Sequence, residues 1–214
     1  QKCLNNEEWD EFVTHSPQNN IFCQSKFLKI YHSNYDLFLL WKGKLILAGV
    51  IILKDSKGRS VKQQFVYQGI LFSQYVESTR LHKKIRKKLE IVQYFLNELE
   101  SLYVNISLSL HHSIGDLRGF QWHNYHDKNS PKLALNLYYT GILDLSKIEN
   151  FDQILMGVRT VRRQEYKKYL KSKFTVEESD DINTLNYLHN KTFERQGLKR
   201  TRAEVFLATT LAKK

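Results

Sequence analysis

The chain has 214 residues, of which 42% are hydrophobic and 13% aromatic, and its formal net charge is +11. That is enough apolar material for one large core or two small ones, and too much for a disordered chain. The longest apolar run, 45–53, falls far short of the ~20 residues that span a bilayer, and no charged leader precedes an apolar signal core.

Cys3 and Cys23 show neither disulfide nor zinc spacing, so a reduced, cytoplasmic chain is expected. The positive charge favours a polyanionic partner, with the surface of a lysine-rich protein as the plainer alternative.

In chain order, Asn5 or Asn6 is predicted to cap a short helix running to Val13, with Glu7 and Glu8 in the first turn where acids suit the helix dipole. Pro17 and Asn19-Asn20 end it, and Phe27, Leu28 and Tyr31 mark a second helix over 24–32. Two strands, 36–41 and 44–53, meet at Lys42-Gly43 as a hairpin. A third strand over 63–72 is bent at Gly69. The longest helix is expected from 77 to 103, because Leu81, Ile85, Leu89, Val92, Leu96 and Leu99 recur at steps of three and four. Lys83, Lys84, Lys87 and Lys88 read as solvated charge on its other face.

Strands over 104–110 and 133–145 are expected on either side of a loop at 116–122. Asp144 or Ser146 then caps a helix over 151–171. An extended piece at 174–178 follows, then a helix over 182–196 that packs through Leu185, Leu188, His189 and Phe193, and a last helix over 202–211. The expected order is α-α-β-β-β-α-β-(loop)-β-α-β-α-α, and no repeat occurs at solenoid periods. The fold class is therefore α/β (α+β), a mixed sheet flanked by helices.

Several of these stretches together resemble the Fem-type peptidoglycan-bridge aminoacyltransferases. They are the two N-terminal helices with Trp9, Phe12 and Ile21-Phe22-Cys23-Gln24-Ser25, the segment Asp116-Leu117-Arg118-Gly119-Phe120-Gln121-Trp122, and the strand over 135–145. The helix with Val161-Arg162-Arg163-Gln164-Glu165-Tyr166-Lys167-Lys168 and the stretch Thr192-Phe193-Glu194-Arg195-Gln196-Gly197 extend the likeness in order along nearly the whole chain. The resemblance implies two domains of the acetyltransferase (GNAT) superfamily fold in tandem, with substrate between them. On that basis 1–145 is a GNAT-like first domain. Residues 146–214 are a partial second one, with its basic helix and helix pair present and its sheet missing. The implied activity is transfer of an amino acid from aminoacyl-tRNA to an amine on a cell-wall precursor.

The residues that could carry such chemistry fall into groups. Arg159, Arg163, Lys167 and Lys171 recur every four residues and so share a stripe. With Arg162 they suit a two-pronged grip on the phosphates of a nucleotide diphosphate or an RNA backbone. Asp116 is the candidate catalytic base, since amide formation needs a group that takes a proton. Arg118 would hold it ionised or bind a substrate carboxylate; the competing expectation is a structural ion pair that fixes the loop. Trp122, Tyr125, Tyr138 and Tyr139 offer rings for stacking on a base, although Tyr138 and Tyr139 must point to opposite sheet faces. His123 and His126 have a metal-like spacing without a third ligand on a regular element, so no metal is expected. No nucleophile elbow, Walker loop or dinucleotide fingerprint occurs, nor the Arg/Gln-x-x-Gly-x-Gly/Ala loop that holds a coenzyme A pyrophosphate. No cofactor is expected.

These readings converge on a Fem-like aminoacyl- or acyltransferase, or its N-terminal part, that forms an amide on an anionic cell-wall or surface-polysaccharide precursor. Asp116 would be the base, and Arg118, Trp122, Tyr139, Arg159, Arg162, Arg163 and Lys167 would bind substrate. Expected partners are that precursor, aminoacyl-tRNA and, peripherally, an anionic membrane. Two alternatives stand beside it: a non-enzymatic basic module that binds tRNA or another polyanion, and an acetyl-CoA-dependent N-acetyltransferase.

Overall fold

Strand Leu45–Leu53 (β2) is apolar almost throughout because both of its faces are covered. In the computed structural model, which describes residues 1–32, 34–62 and 65–199, β2 is the centre of a three-stranded sheet. Tyr35–Lys42 (β1) and Ile70–Phe72 (β3) flank it, and both pairings are antiparallel. Successive side chains point to opposite faces. Ala48, Val50 and Ile52 therefore join Ile70 and Phe72 in one core, closed by Val92, Phe95, Leu96 and Leu99 of the long helix Leu81–Leu102 (α4). Ile51, Leu53 and Leu71 join the other core, with Trp9, Phe12 and Val13 of the helix Asn6–His15 (α1). The result is an α+β arrangement in which helices cover both faces of the sheet.

Local signals set the N-terminal half. Asn5 caps α1 by accepting the Glu7 N–H at 2.9 Å, and Asp10 accepts both the backbone N–H and the hydroxyl of Ser25, at 2.7 and 2.6 Å. That ties α1 to the start of Ser25–Tyr31 (α2). The Trp9 indole N–H donates to the Cys23 carbonyl at 2.8 Å, so the largest buried ring also has its polar atom satisfied. The β1–β2 turn holds Gly43 at φ +60°, a conformation glycine adopts freely.

Further along, the structure departs from the sequence pattern. β3 has three residues, because Tyr67 sits at φ +67° and takes the chain out of an extended path just before it. Its outer edge is closed by side chains: Gln18 Oε1 accepts the Phe72 N–H at 2.8 Å and Ser16 Oγ donates to the Phe72 carbonyl at 2.9 Å. The long helix begins at Leu81, after a separate turn of helix, Gln74–Glu77 (α3). Residues 104–110 do not form the expected strand. Ile106, Leu108 and Leu110 do pack against the first core, and the Gly69 N–H donates to the Ser109 carbonyl at 2.9 Å. The 116–122 loop contains a short helix, Arg118–Gln121 (α5), whose Phe120 is buried.

The chain divides into two compact units, 1–137 and 138–214. The division falls inside the stretch expected as a strand over 133–145. No described residue there belongs to a strand, and Leu137, Tyr138 and Tyr139 are largely exposed. Alternating apolar residues favour an extended chain, but a strand also needs a neighbouring edge for its N–H and C=O groups. The helix expected over 151–171 is two helices, Phe151–Gly157 (α6) and Thr160–Leu170 (α7). Gly157 and the β-branched Val158 and Thr160 weaken the junction. Asn150 caps α6 by accepting the Gln153 N–H, and Asp144 instead caps the short turn Leu145–Lys147. Ile182–Arg195 (α8) forms as expected. The helix expected over 202–211 lies outside the described residues. None of the described helices is long and apolar enough to cross a membrane.

Candidate functional site

The first turns of α4 and the loop 111–119 enclose a cavity of about 250 Å³ in the first unit. Leu81, Ile85, Leu89 and Val92 line it from the helix, with Phe72 and Ile114 completing an apolar floor. Its polar wall is made by Glu77, Lys84, Lys88, Ser113 and Asp116.

Glu77 is the hub of that wall. Lys88 Nζ lies 2.5 Å from one carboxylate oxygen and Lys84 Nζ 3.7 Å from the other, while Gln18 Nε2 donates to Oε1 at 2.9 Å. Burial alone would raise the Glu77 pKa, but the hydrogen bonds from Lys88 and Gln18 outweigh it and hold the carboxyl below its usual range. Gln18, itself buried, thus links the β3 edge to the charged wall.

Ser113 stands beside His111, whose Nδ1 accepts the Ser113 backbone N–H at 3.2 Å and lies 2.8 Å from Ser113 Oγ. Burial pushes the His111 pKa down to about 4, and the neighbouring His112 adds to it. The imidazole is therefore neutral at pH 7, with Nδ1 acting as the acceptor. The Tyr67 ring packs against both histidines, at 4.8 and 5.5 Å between centroids.

Asp116 closes the cavity on its loop side. Arg118 grips it with two hydrogen bonds, Nε to Oδ1 at 2.9 Å and Nη2 to Oδ2 at 2.7 Å, and its backbone N–H adds a third at 3.2 Å. The Arg118 hydrogen bonds hold the Asp116 carboxyl below its ordinary pKa, and Lys88 contributes a smaller attraction. The guanidinium lies 5.7 Å from the Trp122 ring centre. Asp116, Arg118 and Trp122 are thus one group, in which Asp116 faces the cavity and Trp122 is half exposed.

The other expected binding residues belong to the second unit. Tyr139 is 97% exposed. Arg159 is the N-cap of α7, Arg162 pairs with Glu165 at 2.7 Å, and Arg163 donates to Thr160 Oγ1 at 3.2 Å. The helix break at Val158 puts Arg159 at the start of α7, while Arg163 and Lys167 lie within it. Of the histidine pair, His123 is buried with Nε2 2.7 Å from Glu100 Oε1, and His126 packs on the Tyr125 ring.

Sequence reasoning missed Glu77, Lys84, Lys88 and Ser113. Lys84 and Lys88 directly precede Ile85 and Leu89 and lie three and seven residues after Leu81. They therefore flank the apolar stripe, where a lysine stem can cover the core edge while its ammonium reaches a carboxylate. That spacing is a readable signal; the Glu77 partner across the α3–α4 turn is not.

Comparisons with family models, curated proteins and solved structures return no match to this chain. What the wall offers chemically is an ionised carboxylate able to take a proton and two ammonium groups able to face an anion, over an apolar floor.

Proposed function

We propose that the chain is an amide-forming acyl- or aminoacyltransferase of the Fem type, or the part of one that holds the acceptor. Its reading as a GNAT-like domain rests on the helices covering both faces of the sheet and on the sequence likeness. The observation that carries the proposal is the Asp116 carboxylate, kept ionised by Arg118 on the wall of a cavity that also holds Lys84 and Lys88. In this reading the acceptor amine of a cytoplasmic cell-wall or surface-polysaccharide precursor donates its proton to Asp116 as it attacks the donor carbonyl. The amide C–N bond forms, the C–O bond to tRNA or the C–S bond to coenzyme A breaks, and Asp116 returns the proton to the departing oxygen or sulfur. Lys84 and Lys88 face the negative charge that develops on the carbonyl oxygen or the anionic groups of the precursor. Trp122, next to Arg118 but outside the cavity lining, offers its half-exposed ring to the acceptor.

A transfer assay tests this directly, with charged tRNA and acyl-CoA as donors and amine-bearing precursors as acceptors. Asp116→Asn keeps the shape and removes the proton acceptor, so kcat should fall by ~10²–10⁴ with KM little changed. Absence of transfer from every donor, or full activity in Asp116→Asn, would overturn the proposal.

A further inference from the structure

The cavity accounts for Lys84 and Lys88, but not for the other cations of the same helix. From Arg80 to Lys88 the sequence carries Arg80, Lys83, Lys84, Arg86, Lys87 and Lys88 and no acid. The first turn of α4 holds no acidic residue, and Arg80 at the N-cap supplies no side-chain hydrogen bond. The positive end of the helix dipole lies there, so this is where cations stabilise a helix least. Arg86 is paired with Glu90 at 2.8 Å, and Lys84 and Lys88 turn to Glu77.

Arg80, Lys83 and Lys87 have no carboxylate partner among the described residues, and Arg80 and Lys83 are exposed. Lys87 Nζ stands 4.3 Å from the centre of the Tyr75 ring, which is half exposed. Lys83, Lys87 and Tyr94 follow at steps of four and seven and so share one face. Tyr94 is also half exposed. At ~1.5 Å per residue, the two lysines are ~6 Å apart along the axis and Tyr94 lies ~10 Å beyond them.

We propose that this outer face of α4 binds a single-stranded nucleic acid. Arg80, Lys83 and Lys87 contact its phosphates, and Tyr75 and Tyr94 offer rings to its bases. A lipid surface fits less well. A helix that lies in a bilayer interface turns its apolar side to the lipid, whereas the apolar side of α4, with Phe95, Leu96 and Leu99, is buried in the core. The proposal stands apart from the transfer reading, since none of its residues lines the cavity.

The test is fluorescence anisotropy of the full chain with labelled oligouridylate of about 20 nucleotides, between about 50 and 200 mM salt. The triple variant Arg80→Gln, Lys83→Gln, Lys87→Gln should bind at least ~10-fold more weakly at the lower salt, with the slope of log K against log salt shallower by about 2. Its thermal midpoint should hold or rise, because the lost cations sat at the wrong end of the dipole. Tyr94→Ala should weaken binding several-fold without changing that slope. A matched triple on α7, Arg159→Gln, Arg163→Gln, Lys167→Gln, should leave most of the affinity in place. The proposal is overturned if the wild-type chain does not bind, if the α4 triple binds like wild type, or if the α7 triple loses as much. It is equally overturned if phosphatidylglycerol vesicles bind this face more tightly than the oligonucleotide does.

Discussion

At the scale of single residues, Asp36 shows how a charge can be kept inside the first unit. Its side chain is 8% exposed, with Lys2 Nζ at 2.5 Å, Lys54 Nζ at 2.7 Å and the Tyr103 hydroxyl donating at 2.6 Å. Burial opposes ionisation, yet the hydrogen bonds from Lys2, Lys54 and Tyr103 outweigh it and hold the carboxyl below its ordinary pKa. Burial and the same carboxylate raise the Tyr103 pKa, so that hydroxyl stays a donor. Asp36→Asn removes the charge and leaves Lys54 half-buried without its partner. The urea midpoint at pH 7 should report a loss of about 2–3 kcal/mol. Because the folded pKa is depressed, this stabilisation is complete above the ordinary carboxylate value of ~4 and is lost as pH falls through the lower folded value. The gap between wild type and variant should therefore narrow below pH ~4. An unchanged gap in that range would assign the loss to packing. None of this was visible in the sequence, since Asp36 meets a lysine at the chain start and a tyrosine at the end of α4.

At the scale of elements, the legible parts were those whose signals lie within a few residues. The Asn5 cap, the Gly43 turn, the apolar β2 run and the α4 stripe each specify an element locally, and each forms. The expected strands over 104–110 and 133–145 have the same apolar pattern but need a partner edge that no local signal supplies. For the candidate site, Asp116, Arg118 and Trp122 were recognisable as a short motif. The Glu77–Lys88 pair depends on the turn between α3 and α4, which the continuous helical pattern concealed. How closely α1 seats on the sheet was equally hidden, and Gly49 controls it. A Cβ there would lie 2.6 Å from Phe12 Cε1 and 2.8 Å from Trp9 Cζ3, both ring atoms held in a packed core. Gly49→Val suits a strand by propensity but should destabilise by about 2–4 kcal/mol through overpacking. Chemical denaturation followed by tryptophan fluorescence measures it, and a neutral or stabilising result would mean that α1 shifts freely on the sheet.

At the scale of the whole molecule, burial is distributed unequally. Both hydrophobic cores and all three tryptophans, Trp9, Trp41 and Trp122, belong to residues 1–137. No described residue from 138 onward is buried, although that unit carries Tyr138, Tyr139, Ile142, Leu143, Phe174 and Val176, all more than half exposed. Cooperative unfolding follows from buried apolar contact, and segments without it open at little free-energy cost. Residues 1–137 should therefore account for the main thermal transition. Expressed alone, they should melt cooperatively within a few degrees of the full chain, with the same tryptophan emission maximum. Brief proteolysis of the full chain should cut first after 137, where residues 138–144 run exposed without helix or strand. Failure of 1–137 to melt cooperatively, or first cuts within β1–β2 or α4, would show that the second unit takes part in the same folding event. Asp116→Asn and the α4 triple variant could then be read only in the full chain. If instead 1–137 folds alone, nucleic-acid binding by that fragment would place the binding face within the first unit without any contribution from α7, and loss of that binding in the α4 triple variant of the fragment would assign it to α4.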